Sequence, residues 1–501
     1  MIKVNRDLWL RWLSLGWPIL LCLIVLIQNR SLFLDSLNLA RNIYESSFGE
    51  LLYPLDYEQS APLLFLWLSK VVTSILGITE TNLRLVPFFS AGLGLYFFAR
   101  LGSRFYSKGL VVAMTIYMGT LDIFVRYATE YKQYMTDLAV ATFLIYFVSR
   151  HDRVDNSNLI SFALVFTVCI WLSMPSVFVI GSILTYFGIQ AWKGRQSWRH
   201  WICLVTIVIV NFSLEYFLIL QPAMSTSHMQ SFHDEFFMNP KLWQSGAISH
   251  NLGLVISEIR MVVGKSGIAI GAAILSLILG LWSTWSPPRL DKGHKETRGK
   301  GKLLLVISLP ILFAFAASVL GKYSVLDRLM LFSLPLVVLW IGLGIQHLLD
   351  RWDRGFWSKA GSTVMIFGLL VGYAAKSAIP YAWEGYHRED NRSALLYISD
   401  HSSANTAPII CSNLAVSAYD YYNNIDQNYS DLQLGEMIAT SASSDLVDLT
   451  QTILIDRDQV WILVTHKTES QLEQLIKRIE EVATIKNSYR AKRSIAILAI
   501  R

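Results

Sequence analysis

Apolar runs of roughly 20 residues, the length a helix needs to cross a bilayer, recur along most of this chain. The first extends from about Trp9 to Ile27. Others lie near 85–101, 109–125, 133–149, 158–173, 176–191, 201–220, 266–284, 303–320, 329–348 and 361–376, which makes eleven. Only 16% of the 501 residues are charged and 53% are hydrophobic, with 16 Trp. Soluble domains carry about 25% charged residues, so a purely soluble protein is excluded, and so is a disordered one. The apolar excess ends before residue 377, and the last 125 residues read as an ordinary soluble α/β sequence. The first run does not read as a signal peptide, because Gln28, Asn29 and Arg30 follow it instead of a small-residue cleavage site.

Basic residues set the orientation. Residues 62–77 form a twelfth apolar run. If that run does not span, the N-terminus shares a side with the loops at 100–108, 150–157, 192–200, 285–302 and 349–360. Those segments then hold 20 Lys and Arg, against 11 in the longer opposite loops. This is the positive-inside asymmetry. The reading is an N-terminus inside, eleven spans, residues 62–77 as a juxtamembrane helix at the outer surface, and the C-terminal domain outside. The formal charge of +6 is accounted for by these scattered loops and does not call for nucleic acid. Four cysteines give neither a disulfide framework nor a zinc pattern.

Two domains follow: a membrane domain over 1–376, with a first outer loop at about 28–83, and an extracytoplasmic α/β domain over 377–501. A second long outer loop, 221–265, carries His228, His233, Asp234, Glu235 and His250. In the tail, helix signals fall at 392–400, 414–423 and 469–482, and strand-like runs at 408–412, 451–455, 459–465 and 494–500. The tail has no glycine-rich phosphate loop.

Ionisable groups at a membrane boundary cost about 2–3 kcal/mol on insertion scales, so they tend to have a partner or a task. Asp35 follows the first span within RSLFLDSLNLARNIYESS. It can act as a general base toward an acceptor hydroxyl, or cap the helix that follows. Tyr57, Glu58 and Gln59 precede Pro62, a residue suited to a helix's first turn; Glu58 there can face a ligand or simply favour the helix dipole. In RYATEYKQYMTDL, Glu130, Tyr134 and Asp137 follow i, i+4, i+7 spacing, so a helix would put them on one face beside Arg126 and Lys132. A salt-bridged helix start is the alternative. Lys322, Tyr323 and Arg328 share a face in GKYSVLDRLMLF; the guanidinium can grip a lipid phosphate or snorkel to headgroups. The histidines of 221–265 lack a regular metal spacing, although His233 beside Asp234 leaves a metal open.

In order, the chain presents an acidic residue beyond the first span, then YEQSAPLLFLW, TNLRLVPFFSAGL, EYKQYMTD and KYSVLDRLMLFSLP. This order resembles the GT-C superfamily of integral membrane glycosyltransferases, in particular bacterial relatives of protein O-mannosyltransferases and lipid A aminoarabinose transferases. The resemblance covers about residues 1–345. It implies a polytopic α-helical fold with juxtamembrane helices in the first outer loop. It also implies a hexosyl- or pentosyltransferase that moves a sugar from a polyprenyl-phosphate donor to an acceptor hydroxyl on the outer face, with inversion.

By that resemblance Asp35 is the catalytic base. Glu58 and Gln59 lie near the donor phosphate, and Asp137 helps build the site or bind a metal. Lys132, Tyr134, Tyr323 and Arg328 complete the donor-binding candidates. Asp35, Glu58, Asp137 and His233 are the candidates for a divalent metal ion, the one cofactor in view. Relatives often carry Asp-Glu where this chain has Asp35-Ser36, and two prolines where it has Ala61-Pro62. The implied partners are the lipid-linked donor, membrane lipids and a glycan, lipid or protein acceptor. The implied location is a bacterial inner membrane. A polysaccharide polymerase or ligase, or a lipid-linked sugar flippase, is the competing expectation; a flippase would call for broken helices in matching halves, and no two-fold repeat is evident.

Overall fold

A computed structural model describes residues 6–223, 227–241, 243–285, 294–351, 388–402, 407–440 and 445–501, together with Gly372, Pro380 and Ala382. The expected span near 361–376, the 376/377 boundary, most of loop 349–360, the middle of loop 285–302 and the polar tract at 441–444 lie outside the described residues.

The first helices in chain order are α1 (Arg6–Ile27), α2 (Leu34–Glu45), α3 (Leu63–Leu76), α4 (Glu80–Leu83), α5 (Leu85–Gly102), α6 (Lys108–Thr120), α7 (Asp122–Ala128) and α8 (Tyr134–Ser149). Then come α9 (Leu159–Leu172), α10 (Ser176–Trp192), α11 (Trp198–Glu215), α12 (Gln221–Ala223), α13 (Ser227–Asp234), α14 (Ala247–Val263), α15 (Gly267–Trp285), α16 (His294–Val319) and α17 (Leu334–Arg351). Ten of the expected apolar segments are thus helical, and residues 62–77 form α3.

Helix length does not confirm eleven spans. Among the described residues four continuous helices are long and apolar enough to cross a bilayer: Glu80–Gly102, Trp198–Ala223, Gly299–Val319 and Leu329–Arg351. Two bent pairs raise that to six: α6 with α7, at 64°, and α14 with α15, at 98°. Leu63–Leu76 (α3), α8, α9 and α10 are apolar but shorter. At 1.5 Å per residue, such helices fall short of a hydrocarbon core of about 30 Å.

By internal contacts the chain divides into two compact units. The first comprises Met1–Val25, Ser60–Phe65 and Val86–Trp383. Its core is a continuous apolar cluster that includes Leu95, Phe98, Met118, Phe124, Leu138, Phe162, Phe187, Leu304, Phe332 and Leu339. Large apolar side chains also point outward, such as Ile209 and Phe217 next to α11 and Ile268 and Leu275 on α15. An apolar exterior around an apolar core is what a lipid solvent permits. Small residues allow helices to approach closely: a Cβ at Gly344 on α17 would sit against the backbone carbonyl of Ser276 on α15. Nearby, Trp340 donates its indole N–H to the Leu277 carbonyl at 3.1 Å.

The second unit comprises Leu26–Gln59, Leu66–Leu85 and Glu384–Arg501. The first outer loop therefore belongs to the same compact unit as the tail. Its sheet has the order β2-β1-β3-β5-β4, with β1 Ile409–Ser412, β2 Met437–Thr440, β3 Gln459–Thr465, β4 Thr484–Ala491 and β5 Ser494–Ile500. β1 runs parallel to β2 and β3, whereas β5 is antiparallel to β3 and β4. The central strands β1, β3 and β5 are almost wholly buried, as expected of continuous apolar runs. Flanking helices are Asn391–His401, Asn413–Asp420, Asp445–Asp456 and Glu469–Glu480, the last opened by a Thr468–Gln471 capping box.

Residues 451–455 are not a strand but the end of the helix Asp445–Asp456, in which Leu446, Val447, Thr450 and Leu454 form one buried face. That spacing is helical, and Asp445 and Asp448 in the first turn favour its dipole.

Candidate functional site

In the second unit, Asp35 occupies the first turn of α2 and is half-buried. It is not the cap: the N-cap position is Phe33, which offers no side-chain hydrogen bond. The buried Glu389 supplies one instead, since its Oε2 accepts the Leu34 N–H at 3.2 Å. The other carboxylate oxygen of Glu389 lies 3.2 Å from Nδ1 of His466. The Phe33 ring has the Arg388 guanidinium at 3.6 Å and the His466 ring at 5.5 Å. His466 itself has a backbone φ of 60°, in the left-handed region that non-glycine residues seldom adopt.

Upstream of Asp35 the chain is pinned as well. Ser31 Oγ accepts the Asn391 and Arg392 N–H groups at 3.1 and 3.3 Å, and Tyr422 Oη lies 3.1 Å from both Ser31 Oγ and the Leu32 N–H. Arg392 is paired with the buried Glu80, whose carboxylate also accepts the Tyr422 hydroxyl proton at 2.5 Å. Burial opposes charge on Arg392, but Glu80 together with Tyr422, Tyr429 and Asp390 outweighs it, and the Arg392 pKa is raised.

Glu58 and Gln59 lie in the same unit, in a strained turn. Tyr57 and Glu58 are consecutive left-handed residues, with φ of 59° and 53°. Such conformations cost on the order of 1–3 kcal/mol each and persist only where neighbours over-determine them. Asn42 does so here: its amide accepts the Asp56 N–H at 2.8 Å and donates to the Asp56 carbonyl at 3.1 Å. Tyr57 lies under Arg41, 4.1 Å from the guanidinium, and its hydroxyl donates to Glu45 at 2.9 Å. Burial, then the Glu45 hydrogen bond, push the Tyr57 phenol up to about 12. Gln59 is buried and donates to the Tyr57 carbonyl at 3.0 Å, while Glu58 is exposed.

In the first unit, Lys132, Tyr134 and Asp137 are buried. Tyr134 and Asp137 lie on α8, which begins only at Tyr134; Lys132 and Glu130 lie in the preceding turn, with Glu130 3.7 Å from Arg126. The salt-bridged alternative thus holds for that pair, while Tyr134 and Asp137 remain in one helical turn. The Tyr134 ring meets Tyr127 edge-on at 5.2 Å. Asp137 lies within electrostatic range of Tyr323, as does Tyr134. Tyr323 donates its hydroxyl proton to the Leu329 carbonyl at 2.6 Å. Arg328 stands 5.6 Å from the Phe232 ring, next to His233. The imidazole Nδ1 of His233 is 2.8 Å from the Ser324 hydroxyl. Burial, and then Arg328, hold His233 below the ordinary histidine pKa.

Two acidic residues of this unit were not foreseen. Glu215 is fully buried at the end of α11, where a π-helical turn, Tyr216–Leu220, begins. Neither of its carboxylate oxygens has a hydrogen-bond partner among the described residues, and Asp137 is in electrostatic range. Glu258 on α14 accepts the Ser333 hydroxyl at 3.3 Å and also reaches Tyr323 electrostatically. The available signal was a lone carboxylate inside or beside an apolar run. Together the buried Tyr134, Asp137, Glu215 and Glu258 and the half-buried Tyr323 give this unit an acidic and phenolic constellation. Among the described residues no three His, Cys, Asp or Glu side chains form a set that could hold a metal ion.

No protein-family model matches the sequence, and no curated protein matches it. The fold, however, is similar to two crystal structures of ArnT from Cupriavidus metallidurans, one bound to undecaprenyl phosphate and one in the apo state. In both, the TM-score is 0.51 and the match covers 96% of this chain and 98% of that chain. Sequence identity is 13% and 14%, respectively, so what the likeness shows is the fold.

Proposed function

We propose that this chain is a GT-C-type membrane glycosyltransferase that moves a sugar from a polyprenyl-phosphate donor to an acceptor hydroxyl. The observation that carries the reading is the near end-to-end likeness to ArnT, one of whose structures contains undecaprenyl phosphate. The apolar helices support a multi-pass inner-membrane location, and the charge asymmetry of the loops supports a cytoplasmic N-terminus and an extracytoplasmic tail.

In the proposed reaction the Asp35 carboxylate takes the proton of the acceptor hydroxyl. The oxygen attacks the anomeric carbon from the face opposite the phosphate, the bond from that carbon to the phosphate oxygen breaks, and its electron pair leaves with the polyprenyl phosphate. One displacement inverts the anomeric centre. Lys132 and Arg328 offset the charge gained by the leaving phosphate, a stabilisation that acts where charge develops. Glu58, Gln59, Tyr134, Asp137 and Tyr323 are the proposed groups that orient the donor. A donor whose tail cannot leave the bilayer cheaply accounts for a chain rich in apolar helices.

Native mass spectrometry of the purified protein with undecaprenyl phosphate tests the donor side. The wild type should retain the lipid phosphate, and Arg328→Ala should bind it about tenfold more weakly, the loss of one charge-assisted contact. Unchanged binding by the variant contradicts the role of Arg328, and no binding by the wild type contradicts the reading as a whole.

A further inference from the structure

The tail reaches the neighbourhood of Asp35 through a small set of contacts. The helix that carries Asp35 starts without a side-chain cap of its own, because Phe33 cannot supply one. A helix start leaves unsatisfied N–H groups and partial positive charge. Glu389, fully buried and more than 350 residues away in sequence, takes the first of those N–H groups through one oxygen and faces His466 with the other. His466 and Arg388 both lie against Phe33, the residue that precedes that turn. His466 is held in a left-handed backbone conformation directly after β3, and strain of this kind collects where function fixes geometry. The strand end is in turn tied down, since the Lys467 N–H donates to the Arg493 carbonyl at 3.3 Å and the Asp390 N–H to the Lys492 carbonyl at 2.9 Å.

We propose that Glu389 and His466 are positioning residues for Asp35: the tail supplies the missing cap of α2 and so fixes the carboxylate that takes the acceptor proton. This rests on the glycosyltransferase reading for its catalytic consequence, but not for its geometry. Glu389 reaches no reacting atom. It acts by holding the turn in which Asp35 lies, and His466 acts by bracing Phe33 and by lying beside the other Glu389 oxygen, a contact that pairs charge when the imidazole is protonated. A structural staple elsewhere in the tail would not need to meet this turn.

The test uses the full-length protein in proteoliposomes, with two readouts. The first is kcat and donor KM with whichever undecaprenyl-phosphate sugar the wild type turns over. The second is the rate at which a carbodiimide and an amine label the Asp35 carboxyl, followed by peptide mass spectrometry. Glu389→Ala should lower kcat at least tenfold with donor KM unchanged, and should change Asp35 labelling at least threefold. Glu389→Gln keeps an oxygen for the Leu34 N–H and should retain kcat within about threefold. His466→Phe keeps a ring on Phe33 but loses the partner of Glu389; it should fall between the two, and it serves if Glu389→Ala fails to fold. Wild-type kcat and wild-type labelling in Glu389→Ala, or in His466→Phe where that variant serves, would overturn the proposal. If the wild type transfers no sugar, the glycosyltransferase reading fails, and the labelling readout alone still decides the positioning claim.

Discussion

Asp35 was legible in the sequence as a carboxylate just past the first apolar run, but its local setting was not. The stretch SLNLARNIYESS suggests that Asp35 caps a helix, whereas the helix begins one residue earlier and is capped from the tail by Glu389. No local pattern carries that information, since Glu389 and His466 come from distant segments. The strain at Tyr57 and Glu58 was hidden in the same way, because it depends on Asn42 gripping Asp56. Glu215 and Glu258 had a visible signal, a charge in or beside an apolar run, that the outer-boundary clusters overshadowed. Another consequence at this scale concerns pH. Burial holds the Asp420 and Asp426 carboxyls above the ordinary carboxylate value, although Arg41 opposes this at Asp420. The folded chain binds these protons more tightly than the unfolded one. Their contribution to stability is therefore full below the unfolded pKa of about 3.9 and is lost as pH rises through the raised folded value. In thermal unfolding between pH 4 and 7, the wild type should lose stability relative to Asp420→Asn, which does not titrate, as pH rises. A difference independent of pH would contradict the assignment.

Among the elements, strong periodic signals translated well and short ones did not. β3 and β5 match the apolar runs at 459–465 and 494–500, because a run buried on both faces has little else to be. The five-residue run 451–455 has no period long enough to separate strand from helix, and its helical face shows only when Leu446 and Val447 are included. β4 was missed as an edge strand whose exposed positions alternate and carry polar residues. In the membrane part, position along the chain was legible but span number was not. Breaks such as the 64° bend between α6 and α7 depend on packing, which hydropathy does not encode. Close helix approach yields a direct prediction. Because a Cβ at Gly344 would meet the backbone carbonyl of Ser276, Gly344→Ala has to push α15 and α17 apart. Overpacking of that kind costs about 1–3 kcal/mol, which a melting curve in detergent should register as a lower Tm. An unchanged Tm would mean that the two helices do not approach this closely.

For the whole molecule, the discontinuous second unit is the feature furthest from a linear reading. The sequence placed the first outer loop and the tail on the same side of the membrane from charge alone, yet treated them as belonging to different domains. Their joint folding, through Ser31, Glu80, Arg392 and Tyr422, ties the segment that carries Asp35 to the tail. The proposed reaction stands or falls on Asp35 as the base that activates the acceptor. The most direct measurement is single-turnover transfer by purified wild type and Asp35→Asn in proteoliposomes, with a panel of undecaprenyl-phosphate sugars and NMR of the product's anomeric centre. The account predicts an inverted product from the wild type and a rate lower by about 10²–10⁴ in Asp35→Asn, the range for loss of a general base. Transfer by Asp35→Asn at the wild-type rate, or a product with retained configuration, would contradict it.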